Sequence, residues 1–241
     1  MLSLKHIKYD VIDEESGEKE IIEDIDLDIE DGQFVVITGP NGSGKSTLAK
    51  LIAGIYKPTG GQIIYEGTDI TNMPITDRAK MGMSFAFQAP VKFKGLSVFD
   101  LLKLSSGNKD LTMSMACEYL SEVGLCARDY INRDVDGSLS GGELKRIEIA
   151  MILARNTKLS IFDEPEAGID LWSFTNLIRV FEKIKKETNG TVIIISHQER
   201  ILNIADKILC IEHGKVKHFA PREEVLPLIM GTDAALASCG K

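Results

Sequence analysis

The stretch Gly39-Pro40-Asn41-Gly42-Ser43-Gly44-Lys45-Ser46-Thr47 decides the fold of this 241-residue chain. It fits the pattern G-x-x-x-x-G-K-[ST], a loop that connects a buried strand to a helix and wraps around phosphate groups. The continuous apolar run from Phe34 to Thr38 predicts the strand, and the spacing of Leu48, Leu51 and Ile52 predicts the helix. The sequence therefore predicts an α/β core with a phosphate-binding loop.

The residue types of this loop suit a nucleotide phosphate. Glycine allows the backbone N–H groups to turn inward and approach phosphate oxygens. Lys45 supplies a cation for the β- and γ-phosphates, the hydroxyl of Ser46 is a ligand for Mg²⁺, and the helix directs its positive end at the anion. We expect the phosphates to be bound by Gly39, Pro40, Asn41, Gly42, Ser43, Gly44, Lys45, Ser46 and Thr47.

A phosphate loop needs a metal-binding acid at the end of a neighbouring strand. The apolar run Leu159–Phe162 is followed directly by Asp163 and Glu164. Asp163 is predicted to hold Mg²⁺, directly or through water, and Glu164 to polarise the attacking water. Without the loop, an apolar run that ends in two acids would be equally typical of a strand entering a solvated turn.

Further strand and helix patterns alternate along the chain, which is typical of an α/β fold with a mostly parallel sheet. Acidic residues from Asp13 to Asp31 alternate with Ile25, Leu27 and Ile29, and we interpret this stretch as a solvated hairpin. From about Gly95 to Thr157 the pattern is helical only. The other predicted strands are Gln62–Tyr65, Ser84–Phe87, Val192–Ile195 and Ile208–Ile211, and the predicted helices are Val98–Ser105, Thr112–Val123, Glu143–Ala154 and Leu171–Lys186.

The composition narrows the class of protein. The net charge of -8 disfavours non-specific nucleic-acid binding, which needs a basic face. Four scattered cysteines, Cys239 among them, lack zinc-ligand spacing, and we expect them to be reduced thiols. No apolar run approaches the ~20 residues that span a bilayer, and no signal peptide is visible. We therefore expect a cytoplasmic protein without direct membrane insertion.

The segment Leu139-Ser140-Gly141-Gly142-Glu143 carries the most specific resemblance. A glycine-rich helix start with a serine hydroxyl offers a second anion site, although Ser-Gly-Gly is also an ordinary helix cap. The segment resembles the signature motif of ATP-binding-cassette ATPases, with Glu where Gln is common. In that family the motif binds the γ-phosphate of ATP held by a second subunit, which implies ATP-dependent homodimerisation. The residues implied are Ser140, Gly141, Gly142 and Glu143.

Weaker matches follow the order of the same family. Gln88 matches the loop glutamine that senses Mg²⁺ and the attacking water, Asp170 the loop that crosses the dimer interface, and His197 the histidine that contacts the γ-phosphate. Tyr9 occupies the position of the ring that stacks on adenine, and a tyrosine packed in a strand is the alternative. The resemblance thus implies ATP hydrolysis by Glu164, His197 and Gln88, with Mg²⁺ held by Ser46, Gln88 and Asp163.

The resemblance also implies the architecture. It is the P-loop NTPase fold of the ABC type, with a RecA-like core, an N-terminal antiparallel β subdomain and an inserted helical subdomain. On this basis we expect one ATPase domain over 1–241. Its core would comprise 1–94 and 158–230, its helical subdomain 95–157, and its tail 231–241.

Several stretches are most similar to SufC, the ATPase of the SUF iron–sulfur cluster assembly system. This resemblance implies a role in cluster assembly with SufB-like or SufD-like scaffold partners. The alternative is the ATP-binding subunit of a membrane transporter, whose partner is a permease. In both cases we expect docking between Gln88 and about Leu104. The stretches are Gln88–Val91, Glu143 followed by Lys145-Arg146, Gly168, and His197–Leu202, whereas Trp172 departs from the pattern.

Overall fold

A computed structural model describes residues 1–13, 17–187 and 190–238, without the side chains of residues 12, 13, 17–19, 171, 172, 186, 187 and 232–238. Cys239 and the side chain of Trp172 therefore lie outside the described part. The strands are β1 Leu2–Asp13, β2 Gly17–Ile29, β3 Phe34–Thr38, β4 Gly60–Tyr65, β5 Thr68–Asp69, β6 Met83–Ala86, β7 Leu159–Asp163, β8 Thr191–Ile195, β9 Lys207–Glu212 and β10 Lys215–Pro221. The helices are α1 Lys45–Ala53, α2 Ile75–Lys80, α3 Val98–Ser106, α4 Met113–Glu122, α5 Ala127–Tyr130, α6 Gly141–Arg155, α7 Leu171–Glu187, α8 Glu199–Leu202 and α9 Arg222–Ser238.

The chain divides into two compact units, Met1–Arg78 with Thr191–Lys241, and Ala79–Gly190. The first unit contains an antiparallel sheet in the order β2-β1-β4-β5. Leu2 of β1 pairs with Ile29 of β2 on one side and with Tyr65 of β4 on the other. Along the second half of β2 the apolar side chains are buried and the acids between them are exposed or half-buried, which confirms the predicted hairpin.

The first unit also holds strands in the order β10-β9-β3-β8. Strand β3 runs parallel to its two neighbours, so that Val36 pairs with Ile194 of β8 and with Ile208 of β9, whereas β10 is antiparallel to β9. Every residue of β3 and β8 is buried. Strands covered on both faces read as continuous apolar runs, which is why the sequence revealed them.

Helix α1 is held at its C-terminal end by a buried arginine, Arg78, which is 1% exposed. The guanidinium donates hydrogen bonds of 2.8 Å to the carbonyl oxygens of Leu51 and Ile52, in the last turn of α1. A cation at this end of a helix complements the helix dipole. Burial lowers the pKa of Arg78 to about 10. Its further acceptors are the carbonyl oxygens of Ile70, Thr71 and Met73.

The second unit combines a parallel strand pair with helices. Met83 of β6 pairs with Leu159 of β7, and Ala86 with Phe162. Helix α6 packs against α3, α4 and β6. Its buried residues include Leu144, Ile147 and Ala150, so α6 forms the centre of the helical part that the sequence predicted.

Helix boundaries in the second unit follow from local hydrogen bonds. Helix α3 begins with a capping box between Ser97 and Asp100, and the side chain of Thr112 caps α4. Asn156, with φ of 51°, ends α6. The predicted helices Val98–Ser105, Thr112–Val123 and Glu143–Ala154 are thereby confirmed to within two residues at each end.

Other elements differ from the sequence predictions. Strand β6 ends at Ala86 and not at Phe87, because the N–H of Phe87 donates to the side chain of Glu148. Helix α9 extends to Ser238, so residues 231–238 continue a helix where a tail was expected; alanine and leucine there are good helix formers. The patterns also gave no sign of β5, α2, α5, α8 or β10.

The sequence also raised the questions of cysteine pairing and of membrane-spanning helices. Cys117, Cys126 and Cys210 are free thiols. Among the described helices, none combines the length and the apolar character needed to cross a bilayer.

Candidate active site

The phosphate loop connects β3 to α1 in the first unit. Its glycines Gly39, Gly42 and Gly44 have φ of 136°, 78° and 100°, which favour glycine. A Cβ atom at Gly39 would collide with the backbone oxygen of Ile211. Left-handed residues of this kind allow successive N–H groups to face an anion.

Lys45 is folded back over its own loop. The residue is 5% exposed, and Nζ donates to the carbonyl oxygens of Gly39 (2.9 Å) and Pro40 (2.8 Å). The hydroxyl of Ser43 is also buried there and has no hydrogen-bond partner among the described residues. A buried hydroxyl without a partner is costly unless a ligand or water satisfies it. The loop therefore fits a phosphate group, and the adjacent Ser46 hydroxyl fits an oxygen-seeking cation such as Mg²⁺.

Tyr9 lies half-buried on β1 in the same unit. Its ring stacks on that of Tyr56, with centroids 5.4 Å apart and an interplanar angle of 4°. The ammonium of Lys50, on α1, lies over the Tyr56 ring at 5.4 Å. Both sequence interpretations of Tyr9 are compatible with this arrangement, and Tyr56 is a neighbour that the sequence gave no reason to select.

His197 follows β8 and is exposed. The preceding residue, Ser196, is fully buried, and its Oγ accepts a hydrogen bond of 3.0 Å from the N–H of Gln198. The exposed histidine thus sits on a fixed turn between a buried strand and α8.

The second unit brings two predicted site residues together. Nε2 of Gln88, after β6, donates a hydrogen bond of 2.6 Å to Oε2 of Glu164, after β7. Glu164 has φ of 46°, a left-handed conformation that is uncommon outside glycine and concentrates at functional sites. Asp163 ends β7 and is 2% exposed, so a buried carboxylate and a partly exposed one stand side by side.

The signature segment Ser140–Glu143 begins α6 and forms a capping box. Oγ of Ser140 accepts from the N–H of Glu143 at 3.3 Å, and Oε2 of Glu143 accepts from the N–H of Ser140 at 2.6 Å. The hydroxyl of Tyr130 donates to the other oxygen, Oε1. The Tyr130 hydroxyl and then the Ser140 N–H lower the pKa of Glu143, and the same contact raises the pKa of Tyr130. Glutamate in place of the common glutamine therefore serves the helix start.

The loop that contains Gly168 and Asp170 lies against this signature segment. A Cβ on Gly142 would be 3.4 Å from the backbone oxygen of Gly168. Asp170 caps α7, because its Oδ1 accepts from the N–H of Ser173 at 3.0 Å. The structure thus gives Asp170 a helix-capping role that the sequence analysis did not assign.

The stretch from Gln88 to Leu104 borders a cavity of about 180 Å³. Val91 at its rim is 47% exposed, and Leu104 in the same stretch is 66% exposed. The cavity is mostly apolar, with the carboxyl of Glu148 among its polar groups. Its apolar lining includes Phe87, Val91, Phe93, Leu101, Leu144 and Ile147.

Sequence reasoning missed Tyr130, Lys145 and Glu148 as neighbours of the site. Lys145 is fully buried, and its Nζ donates to the carbonyl oxygens of Phe87 and Gln88. Lys145 and Glu148 are charged residues within the helical pattern of α6, and the resemblance drew on Lys145, but charged residues in such a pattern can equally lie on a solvated face. That these charged side chains are buried can be seen only in the folded structure.

Comparisons with known proteins show the family to which the chain belongs. An uncharacterized ABC transporter ATP-binding protein of Methanocaldococcus jannaschii is 40% identical over 92% of this chain and 92% of its own length. The Antithamnion protein named "Probable ATP-dependent transporter ycf16" is 34% identical over 83% of this chain and 85% of its own length.

The dimeric structure of MJ0796, a bacterial ABC transporter cassette, has the same fold. Its TM-score is 0.83 at 23% identity, covering 92% of this chain and 99% of that one. The ABC transporter family profile matches residues 22–167. The profile match and the relative of 40% identity show that the chain belongs to the ABC transporter family, as an ABC-type ATPase domain.

Proposed function

We propose that this ABC ATPase is the ATP-binding and ATP-hydrolysing subunit of a membrane transporter. The hydrogen-bonded pair Gln88–Glu164 carries the hydrolytic part of the proposal, because it joins an amide and a carboxylate beside the buried Asp163. The printed name of the relative that is 40% identical, an ABC transporter ATP-binding protein, supports the transporter part.

The phosphate loop would hold the β- and γ-phosphates of ATP. Its N–H groups, the ammonium of Lys45 and the hydroxyl of Ser43 are the proposed donors, and Tyr9 with Tyr56 offers a ring surface for adenine. Stacking of a base on such a ring is worth about 1–3 kcal/mol. Ser46, Asp163 and Gln88 are the proposed oxygen ligands of Mg²⁺, which when bound neutralises charge on the phosphates.

Hydrolysis needs a water molecule in line with the γ-phosphate. Glu164 is the proposed group that accepts a proton from this water as its oxygen bonds to phosphorus and the bond to the β-phosphate oxygen breaks. Gln88 orients the carboxylate and the water, and His197 contacts the γ-phosphate. The hydrogen bond between Gln88 and Glu164 supports these assignments because it fixes the carboxylate before substrate arrives.

ATP is proposed to hold two copies of the chain together. The phosphate loop of one copy and Ser140–Gly142 of the other would share one ATP, with Asp170 in the loop that crosses between copies. The N-terminus of α6 presents backbone N–H groups suited to an anion. Since ATP bridges only the closed state, it shifts the population toward the dimer, and loss of the γ-phosphate releases it.

The permease is proposed to dock on the stretch from Gln88 to about Leu104. The cavity beside this stretch is mostly apolar, and Val91 and Leu104 expose apolar side chains to solvent. A short apolar helix from a partner would cover these groups. Because the stretch begins at Gln88, a partner there would act directly on the hydrolytic pair.

The test is affinity capture of the tagged full-length chain from its own cells, with membrane and soluble fractions kept apart. The Glu164→Gln variant with ATP stabilises the closed dimer, and Lys45→Ala serves as the control that cannot close. Mass-spectrometric recovery of a polytopic permease in the membrane fraction, dependent on Lys45, supports the transporter function. Recovery of no permease in either state contradicts it.

A second candidate is a SufC-like role in iron–sulfur cluster assembly. It rests only on the resemblance of Gln88–Val91, Glu143 with Lys145-Arg146, Gly168 and His197–Leu202 to that family, because the relatives described above are named as transporter proteins. Its partners would be SufB-like or SufD-like scaffold proteins. The same capture experiment separates the two functions, since these scaffolds would be recovered from the soluble fraction without a permease.

A further inference from the structure

Helix α6 carries a buried charged pair, Lys145 and Glu148, that hydrogen-bonds to the backbone of Phe87 and Gln88. Lys145 is fully buried, and the side chain of Glu148 is 16% exposed. The two are separated by three residue positions along α6, with Nζ and Oε2 4.0 Å apart. Neither residue belongs to a motif that contacts nucleotide.

Both side chains bind the backbone at the end of β6. Nζ of Lys145 donates to the carbonyl oxygen of Phe87 and, at 2.9 Å, to that of Gln88. Oε1 of Glu148 accepts from the N–H of Phe87 at 3.0 Å. The cation therefore holds two acceptors and the anion holds a donor of the same short segment, which fixes its position along α6.

Burial of these charges is costly in itself. Desolvation lowers the pKa of Lys145 and raises the pKa of Glu148. A buried charged pair of this kind is often no more stabilising than an apolar replacement. The contacts of this pair therefore point to a role in positioning the chain, rather than to a gain in stability.

The backbone that this charged pair binds, at Phe87 and Gln88, includes one member of the hydrolytic pair Gln88–Glu164. Gln88 donates to Glu164 at 2.6 Å, so contacts run from α6 through the backbone of Phe87 and Gln88 to the carboxylate. The signature segment begins the same helix at Gly141. Lys145 and Glu148 therefore lie about one and two turns along the helix that the signature segment begins.

We propose that Lys145 and Glu148 are positioning residues that fix the amide of Gln88 against Glu164 and thereby set the rate of ATP hydrolysis. Neither touches the substrate. The inference rests on the proposed roles of Gln88 and Glu164. It links the helix that carries the signature segment to the group that polarises water.

Steady-state kinetics of the full-length chain test this assignment. Lys145→Met removes the donor while keeping an unbranched side chain, and we expect kcat to fall about 10- to 100-fold while KM for ATP changes less than about twofold, since small misplacements affect chemistry more than binding. Lys109→Met, at an exposed position outside the docking stretch, is the matched control with unchanged kcat. An unchanged kcat in Lys145→Met overturns the proposal.

A double-mutant cycle separates positioning from general damage. If Lys145 acts through Gln88, Lys145→Met has little further effect on kcat in a Gln88→Ala background. If the same fold-loss occurs in both backgrounds, the role is structural and the proposal fails.

Glu148 supplies an independent test should Lys145→Met not fold. Glu148→Gln keeps an acceptor for the N–H of Phe87, whereas Glu148→Leu removes it. We expect Glu148→Gln to retain more of kcat than Glu148→Leu, and equal losses contradict the proposal. Gln88→Ala and Glu164→Gln serve as references: if both retain full kcat, the proposed hydrolytic site itself is wrong, and if both lose it while Lys145→Met does not, only this inference fails.

Discussion

Nε2 of Gln88 lies 2.6 Å from Oε2 of Glu164, and the two side chains come from the ends of the parallel strands β6 and β7. Parallel strands place their carboxyl ends at one edge, so residues that are 76 positions apart meet there. The side-chain amide of Gln88 therefore already donates to the carboxylate of Glu164 before substrate binds.

Glu164→Gln should retain ATP binding, lose hydrolysis and accumulate an ATP-bound dimer. Removal of a positioned general base typically lowers the rate by about 10²- to 10⁴-fold. Light scattering with ATP measures the dimer, and phosphate release measures turnover. Glu118→Gln, on an exposed face of α4, should behave as the unaltered chain. A Glu164→Gln protein that stays monomeric with ATP would contradict the dimer mechanism.

Lys45→Ala should lose most of the affinity for ATP. The ammonium donates to the carbonyl oxygens of Gly39 and Pro40 and is thereby fixed over the loop. Hydrogen bonds to charged groups are worth about 1.5–3 kcal/mol each, so Kd should rise about 100-fold. Calorimetric titration measures it, with Lys57→Ala at an exposed position as control. Unchanged binding would remove Lys45 from its role.

Gly39→Ala should destabilise the first unit far more than Gly42→Ala. Both residues have positive φ, but a Cβ at Gly39 meets the backbone of Ile211, whereas at Gly42 it meets open space. We expect a loss of about 4 kcal/mol or more at Gly39, where backbone must move, and about 1–2 kcal/mol of backbone strain at Gly42. Urea unfolding monitored by circular dichroism compares the two. Similar losses would show that φ alone determines the cost.

Glu143, in the first turn of α6, should make the free energy of unfolding depend on pH. Its pKa is lowered by the Tyr130 hydroxyl and the Ser140 N–H. A carboxyl whose pKa is lower in the folded state stabilises fully above its unfolded value, and this stabilisation is lost as pH falls through the folded value. Between neutral pH and pH 3, the unaltered protein should therefore lose more stability than Glu143→Gln. Parallel pH profiles of the two unfolding transitions would disprove this.

Sequence alone predicted the parts whose signals are local. The apolar runs of β3, β7 and β8 and the helical patterns of α3, α4 and α6 were visible because periodicity depends on neighbours in the chain. The predicted strand Ser84–Phe87 runs one residue past the end of β6, since the N–H of Phe87 donates instead to Glu148, which is 61 positions away.

The candidate site divides in the same way. Residue patterns identified the phosphate loop and Glu164, the family resemblance implied Gln88, and the structure joins Gln88 to Glu164. Residues that act through burial escaped detection: Lys145 and Arg78 resemble ordinary surface charges until the fold encloses them. A choice between transporter and cluster-assembly partners depends on surfaces of other proteins, which this sequence does not contain.

The hydrogen bonds of the Arg78 guanidinium exclude even the conservative substitution Arg78→Lys. The guanidinium serves carbonyl oxygens of five residues through three nitrogens, and a lysine ammonium has neither the reach nor the donors to replace it. Gly54 leaves room for it, since a Cβ there would lie 2.7 Å from Nε. Glycine at position 54 therefore satisfies two demands at once, the left-handed end of α1 (φ 79°) and the space that the guanidinium occupies.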